Sequence, residues 1–411
     1  MKKTLRKAKN FVHLFLAIVA NAINLFPSRK LIVVGVTGTD GKTTTSQLIY
    51  QILRESGKRV AVISTIGAFI DGESYETGLH VTTPSPFTIQ RYIKIAKEKG
   101  CTHLVLEVTS HALDQNRTWG IKFNIGVLTN ITHEHLDYHM SYKRYVRAKL
   151  KLFKYSNISI INSNGEWLSD AVKVIPSDKM VTYSLHGNNS GDLSLMTMPF
   201  QITTKLIGDF NLENILAATA TAHVLGIDDV VIDKAIQSFE APVGRQQVFK
   251  SSKNANTIVD FAHTPNAFEN ILPEIRRRTT GKIIHVFGAA GQRDRGKRQA
   301  MGKVSSFYDD IIILTSEDPR SEKVSEINQQ IKEGIGNNFV VSIDGKTTES
   351  KTVYEINDRK EAIDFAISIS TKTDTVIITG KGHEKSMNYG HGEEPWSDQE
   401  VVKNYLKKHA V

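Results

Sequence analysis

The sequence predicts an α/β protein with largely parallel sheets, and three observations carry that prediction. Short apolar runs alternate with helix-period segments along most of the chain. The first run, Leu31 to Val34, breaks into a Gly-rich turn that ends in Gly41-Lys42-Thr43. Polar and charged residues then gather just past the later apolar runs, where open α/β sheets bind their ligands.

At 411 residues the chain has room for about two or three domains. Its 40% hydrophobic and 23% charged fractions are those of a soluble globular protein. A single cysteine, Cys101, excludes a disulfide framework and fits a reducing cytoplasm. The net charge of +9 raises nucleic-acid binding, but no aromatic-basic repeat accompanies it. The charge is read as attraction for anionic substrates or a membrane surface, with no nucleic-acid partner.

In chain order, Lys2, Lys3, Arg6, Lys7 and Lys9 precede the run Phe11 to Phe26, which His13, Asn21 and Asn24 interrupt. A membrane-crossing helix needs about 20 apolar residues, and no small-residue cleavage site marks a signal peptide. Residues 1–28 are read as a basic, amphipathic interfacial helix in peripheral contact with a membrane. The alternative is a helix packed on the globular body. The expected location is the cytoplasm, at the inner face of the membrane.

From Leu31 to about Leu225, strands are expected at Val60–Ser64, Leu104–Glu107, Ile125–Leu128 and Ile158–Ile161. Helical patterns lie between them around Ser46–Glu55, Pro86–Lys99 and Ser141–Leu152. Gly208–Gly226 reads as a strongly amphipathic helix with an Ala-rich face. A second α/β series begins near Ile258 and continues through Ile283–Phe287, Ile311–Leu314 and Val376–Thr379, with Ala241 to Arg245 as the candidate hinge.

Strand, glycine loop and Lys-Thr form the layout of a phosphate cradle. Backbone N–H groups and a helix N-terminus face the phosphates, Lys42 supplies a point charge, and the Thr43 hydroxyl reaches a magnesium ion. The spacing departs from the strict P-loop, because Val36 stands where its first glycine belongs. An ordinary strand–helix turn is the alternative. Thr82 and Thr83, in VTTPSP, are either ligand contacts or a helix N-cap before Pro86. Glu107 ends an apolar strand, where a carboxylate needs a cation: magnesium, or else a lysine. The stretch LTNITHEHLDYH clusters histidines and acids beyond another strand. Zinc is disfavoured, since no cysteine is near and a phosphate loop suits a hard ion, so ligand and structural roles both stay open. In the second series, Arg293, Arg295, Lys297, Arg298 and Arg320 are candidates to clamp anions, against the alternative of a solvated basic loop.

Taken together, TGTDGKTTT, TTP, EVTSHALDQNR, HLDYH with AKLKLF, GDFNLENILAA, GRQQVF, VDFAHTP, GAAGQRDRGKR, EDPR and GKGHE follow one another in order. On these motifs the chain resembles the Mur ligases over about residues 30 to 411, and most of all the branch that adds the third residue of the peptidoglycan stem peptide. The resemblance implies a P-loop central domain with a mainly parallel sheet (29–240) and a C-terminal Rossmann-like α/β domain (241–411). It implies ATP, held by Gly38, Thr39, Gly41, Lys42, Thr43 and Thr44, with Asn214, Arg245, Asp260 and His263 around the nucleotide. Two Mg²⁺ sites follow, one on Thr43 and Glu107, the second on His135. Lys149 matches a lysine that this family carbamylates, turning a cation that repels the metal into an anion that helps hold it. Lys42, Glu107, His135 and Lys149 form the implied catalytic set. Thr82, Thr83, Thr109, Gln115 and Arg117 match residues that hold the UDP-muramyl dipeptide, and Arg293, Asp318, Arg320, Gly380 and Glu384 match the pocket for the incoming diamino acid.

The implied reaction is ATP-dependent amide formation through an acyl phosphate, with the C-terminal domain closing about the 241–245 hinge. Three departures accompany the resemblance. The family's uridine-gripping N-terminal domain has no counterpart in the sequence, where residues 1–28 stand instead. The amino-acid motif reads Glu317-Asp318-Pro319-Arg320 in place of the usual Asp-Asn-Pro-Arg, and Asp40 stands where the family has Asn. Arg320 favours meso-diaminopimelate over lysine, because lysine lacks the distal carboxylate a guanidinium pairs with. The rival readings are the lysine-adding enzyme, a folylpolyglutamate synthetase-like ligase, and a non-catalytic nucleotide-binding regulator.

Overall fold

A computed structural model of the chain describes residues 2–78, 82–187, 193–251, 255–342 and 351–409. The chain divides into two compact units, Met1–Glu240 and Ala241–Val411.

The first unit begins with helix α1 (Lys2–Ile23). Its strands are β1 (Ile32–Thr37), β2 (Val60–Ser64), β3 (Gly67–Ile70), β4 (Glu73–Tyr75), β5 (His103–Glu107), β6 (Phe123–Leu128), β7 (Ser156–Asn162) and β8 (Met180–Tyr183). Among the described residues they form an eight-stranded sheet in the order β4-β3-β2-β5-β1-β6-β7-β8. Strands β2, β5, β1, β6, β7 and β8 run parallel, whereas β3 and β4 add an antiparallel edge. The central parallel strands β2, β5, β1 and β6 are buried on both faces, which is why they read as apolar runs. Between them lie α2 (Lys42–Glu55), α3 (Pro86–Glu98), α4 (Ser110–Asp114), α5 (Leu136–His139), α6 (Tyr142–Leu150) and α7 (Leu168–Ala171), and α8 (Asp209–Val224) and α9 (Asp229–Ser238) close the unit.

Local rules set these boundaries. Gly41, at φ +80°, supplies the left-handed turn from which α2 starts at Lys42. The N-cap of α3 is Ser85, whose Oγ accepts from the Thr88 N–H at 3.2 Å with Pro86 in the first turn, so Thr82 and Thr83 are free of that duty. Helix α8 corrects one expectation: it is buried all round from Asn214 to Ala222 rather than along one face. Its alanines and threonines are small enough to be enclosed between α2 and the sheet.

The second unit carries β9 (Gln247–Phe249), β10 (Asn256–Val259), β11 (Ile283–Phe287), β12 (Ile311–Leu314), β13 (Val340–Val341), β14 (Thr352–Glu355) and β15 (Thr375–Ile378). Their order is β13-β14-β12-β11-β15-β10-β9, parallel throughout except for the β9–β10 pair. Helices α10 (Pro265–Arg278), α11 (Gly296–Tyr308) and α12 (Val324–Lys332) cover one face, and α13 (Arg359–Ser368) and α14 (Asp398–Lys408) the other, giving two apolar layers. A small antiparallel ribbon, β16 (Ser386–Asn388) with β17 (Glu393–Pro395), follows β15.

Candidate functional site

In the first unit the loop after β1 is drawn tight by side chains from β6 and α8. A Cβ on Gly38 would lie 1.7 Å from Thr129 Oγ1, and one on Gly41 would lie 2.1 Å from Asn214 Oδ1. Asn130 Oδ1 accepts from the Asp40 N–H at 2.9 Å, and Thr129 Oγ1 donates to the Asp40 carbonyl at 2.6 Å. Thr39 Oγ1 meets the Tyr145 hydroxyl at 3.0 Å, Lys42 Nζ donates to the Thr39 carbonyl at 2.7 Å, and Thr44 is buried in the first turn of α2. These contacts fix the loop with the N-terminus of α2 behind it, a ready anion site.

Glu107, at the end of β5, is wholly buried. Thr43 Oγ1 donates to its two oxygens at 3.2 and 3.1 Å, while Thr65 adds its N–H and hydroxyl, each at 2.9 Å. Hydroxyls and an N–H, not a lysine, thus meet the carboxylate. Thr65 directly follows β2, on the same edge of the sheet where Glu107 ends β5, and that position is the only sign of it in the sequence. The described residues hold no ready cluster of three His, Cys, Asp or Glu side chains. A hydroxyl beside a carboxylate nevertheless fits a hard dication that takes most of its oxygens from phosphates.

Lys149, on α6, is buried, donates to the Gly38 carbonyl and lies 4.5 Å from the Tyr145 ring centre. Burial, followed by the nearby Lys42 charge, holds its ammonium pKa well below the usual range, while Glu134 and Asp40 pull the other way. His135, at φ +55°, is largely exposed, 3.7 Å from a Glu134 oxygen and with its ring 4.8 Å from that of His111. His139 is structural: it is buried, meets Ser110 Oγ at 3.0 Å, and burial and then His111 push its pKa down to about 3.

A second network begins two residues past Glu107. Thr83 Oγ1 donates to the Glu107 carbonyl at 3.1 Å and accepts from the Thr109 N–H at 2.9 Å. Arg117 Nη1 donates to the Thr83 carbonyl at 3.0 Å, and its Nε donates to Gln115 Oε1 at 2.7 Å. Gln115 in turn donates to the Tyr138 hydroxyl at 3.2 Å, which donates to Asp114 Oδ2 at 3.0 Å. Thr82 adjoins this network, half-buried. Helix α1 abuts it: Asn10 Nδ2 donates to Asp114 Oδ2 at 3.0 Å, and Arg6 Nη1 to the Tyr138 carbonyl at 3.3 Å. Further along, Asn21 Nδ2 donates to the Trp119 carbonyl at 2.6 Å. The helix is therefore packed on the first unit along one face.

In the second unit, loops converge past the carboxyl ends of β10, β11, β12 and β15. Asp260 accepts from the Gln246 and Ala262 N–H groups, both at 2.7 Å, and the Arg245 guanidinium lies 4.5 Å from the Phe261 ring centre. The His263 carbonyl accepts from Lys297 Nζ at 2.8 Å. Asp318 and Arg320 both take left-handed backbone, at φ +42° and +52°. Asp318 Oδ1 accepts from Lys381 Nζ at 2.8 Å and from the Asn388 N–H at 3.0 Å, and Lys381 also pairs with Glu384. Gly380 is required by its φ of +108° and because a Cβ would lie 2.5 Å from Glu317 Oε2. Glu317 is buried, Oε2 has no hydrogen-bond partner, and burial raises its pKa to about 7. Arg293 is exposed on the loop after β11. Arg298, one of the five candidate anion clamps, is wholly buried and spent on Glu322, Gln330 and the Ala290 carbonyl. It holds the loop rather than a ligand.

A tightened glycine loop at a helix N-terminus with a Thr–Glu pair beside it, followed by a second α/β unit, marks a nucleotide-phosphate-binding α/β protein. Residues 36–222 match the Mur ligase middle domain and residues 244–382 the Mur ligase, glutamate ligase domain. The chain is 37% identical over 398 residues to a UDP-N-acetylmuramoyl-L-alanyl-D-glutamate–2,6-diaminopimelate ligase of Aquifex aeolicus, covering 92% of this chain and 78% of that one. It is 34% identical to a UDP-N-acetylmuramyl-tripeptide synthetase of Borreliella afzelii, covering 94% and 80%. A solved structure of a UDP-N-acetylmuramoyl-L-alanyl-D-glutamate–2,6-diaminopimelate ligase superposes with a TM-score of 0.63 at 30% identity, over 93% of this chain and 79% of that one. A folylpolyglutamate synthase/dihydrofolate synthase with Mn, AMPPNP and L-glutamate bound shares the fold alone, with a TM-score of 0.69 at 19% identity over 90% and 92% of the two chains. The chain belongs to the Mur ligase family, whose members are ATP-dependent peptide synthases. Among the described residues no helix is long and apolar enough to cross a membrane.

Proposed function

We propose that the protein joins meso-2,6-diaminopimelate to the D-glutamyl carboxylate of UDP-N-acetylmuramoyl-L-alanyl-D-glutamate at the expense of ATP. The names of similar ligases support the substrates. The observation that carries the reading is the Thr83–Thr109–Gln115–Arg117 network, built directly onto the residue that faces the phosphate loop. The carboxylate oxygen attacks the γ-phosphorus and ADP leaves, giving an acyl phosphate. The amine nitrogen then attacks the acyl carbon, the nitrogen loses its proton, and phosphate departs.

In this reading Lys42 and the α2 N-terminus hold the phosphates, and Arg117 orients the acceptor carboxylate. Thr43 and Glu107 would hold one Mg²⁺ and His135 a second; bound there, magnesium neutralises charge developing on the phosphates. Lys149 would be carbamylated, a reading supported by its buried amine beside the Gly38 carbonyl. Arg245, Asp260 and His263 are assigned to the nucleotide together with Asn214, and Arg293, Asp318, Arg320, Gly380 and Glu384 to the amino acid. Diaminopimelate is preferred to lysine because Arg320, whose Nη1 donates to the Gly291 carbonyl, has further guanidinium donors for the distal carboxylate, whereas Asp318 Oδ1 is occupied by Lys381. We further infer peripheral contact with the cytoplasmic face of a membrane through α1. Its outer face exposes Phe11 (70%) and Phe15 (59%) with Val12, Ile18 and Ile23, and no acidic residue precedes Asp40.

The test is an amino-acid screen with purified protein, ATP and UDP-N-acetylmuramoyl-L-alanyl-D-glutamate, read by product mass and phosphate release. The expected result is a diaminopimelate adduct with a higher kcat/KM than for lysine. A lysine preference overturns the amino-acid assignment; no acceptor-dependent phosphate release overturns the ligase reading.

A further inference from the structure

Arg359, the first residue of α13, is a fully buried arginine that neither the reaction nor any motif uses. Asp398 holds it with two bonds of 2.8 Å, from Nε and Nη2, and Trp396 Nε1 donates to the same carboxylate at 2.8 Å. The remaining donors go to main chain: Nη1 to the Ser316 carbonyl at 3.2 Å and Nη2 to the Thr379 carbonyl at 2.8 Å. Ser316 immediately precedes Glu317-Asp318-Pro319-Arg320, and Thr379 immediately precedes Gly380-Lys381-Gly382-His383-Glu384.

These two carbonyls belong to chain segments that no ladder joins. Strands β12 and β15 flank β11 on opposite sides, and their last ladder bonds are made by the Thr315 and Thr379 N–H groups to β11. One residue later the chains turn into their loops, and the guanidinium bridges them there. A buried ion pair adds little to stability compared with apolar residues of the same volume, because both charges must leave water. What a planar fork supplies is geometry: it fixes two acceptors at one distance and angle, which a lysine ammonium cannot do.

We infer that Arg359, held by Asp398, is a positioning residue for the amino-acid pocket, setting the separation of the 317–320 and 380–384 loops. The inference rests on the assignment of those loops to the incoming amino acid. It predicts that Arg359→Lys raises KM for meso-diaminopimelate at least tenfold, while KM for ATP and for the UDP-muramyl dipeptide stays within twofold. Asp398→Asn, which keeps the shape but removes the charge that aligns the fork, should give the same split and covers the case in which Arg359→Lys fails to fold. Arg320→Ala separates the two layers of the argument. If it leaves the amino-acid KM unchanged, the pocket assignment fails. If it raises that KM while folded Arg359→Lys and Asp398→Asn do not, or if those two raise all three KM values together, the positioning role is refuted.

Discussion

Replacing Glu107 by Gln tests the centre of the site with almost no change of shape. The carboxylate accepts from three donors: the Thr43 hydroxyl, shared between its two oxygens, and the N–H and hydroxyl of Thr65. An amide must turn its oxygen toward the Thr65 N–H, which cannot rotate, and its NH₂ then faces the Thr43 and Thr65 hydroxyls, which can turn to accept. The fold should therefore lose about 1.5–3 kcal/mol, the range for bonds to a charged acceptor. In a unit of this size that is roughly 2–4 °C in Tm per kcal/mol. Turnover should fall much further, by about 10²–10³, because a negative ligand is lost where phosphate charge must be neutralised. Thr43→Val should cost less, and the double variant should fall short of the sum of the two, since the residues share one contact. The assay is phosphate release dependent on acceptor and amino acid, beside a melting curve. A folded Glu107→Gln protein keeping more than a tenth of wild-type turnover would refute the metal-holding role.

Further variants probe other groups. Lys149→Ala should abolish turnover, and short-chain carboxylic acids should restore part of it; rescue by amines instead of acids would argue for a cationic lysine. Glu317 has a folded-state pKa of about 7, above the ordinary carboxyl value of 4.5. Its ionisation thus adds no cost at low pH and destabilises the protein increasingly as pH rises from about 4.5 through 7. Glu317→Gln should therefore raise Tm at pH 8 more than at pH 5, and equal shifts at both would show that the carboxyl is not buried in its neutral form. Phe11→Ser with Phe15→Ser should reduce flotation with anionic vesicles at unchanged Tm. That pair is a cleaner probe than removing residues 1–28, which carry the buried Asn21–Trp119 contact. Asp40→Asn should lower KM for ATP by removing a carboxylate beside the phosphates, and a raised KM would show that Asp40 supports the loop.

What the sequence disclosed, and what it hid, follows from how each element is held. Val60–Ser64 and Ile283–Phe287 were legible to the residue, because strands buried on both faces leave continuous apolar runs. The β3–β4 edge, β9 and β14 were not, since they lack the unbroken apolar run that marks the equally short β12. Glu107 stood out as a charge ending an apolar run. Thr65, doing comparable work, did not, because a threonine at a strand end is unremarkable by composition. Arg359 left no signal at all: an arginine on a helix reads as solvated, and only the fold shows it bonded to the Ser316 and Thr379 carbonyls. Arg298 read as an anion clamp, whereas the fold turns it inward onto Glu322, Gln330 and the Ala290 carbonyl. For α1 the structure shows the alternative reading, a helix packed on the globular body: its polar residues face the first unit while phenylalanines stay outside.

One residue reaches the first turn of α2 with its side chain and the Thr83–Thr109 network with its main-chain carbonyl. Glu107 meets Thr43 with its carboxylate and Thr83 with its backbone oxygen. Re-engineering the protein toward a different carboxylate substrate, the group that accepts the phosphoryl, is therefore constrained. Substitutions at Thr83 or Thr109 that shift the backbone by a few tenths of an ångström also tilt the carboxylate beside the nucleotide. Laboratory selection for new acceptors should recover compensating changes at Thr43 or Thr65, and variants that gain acceptor range without them should show weakened ATP binding.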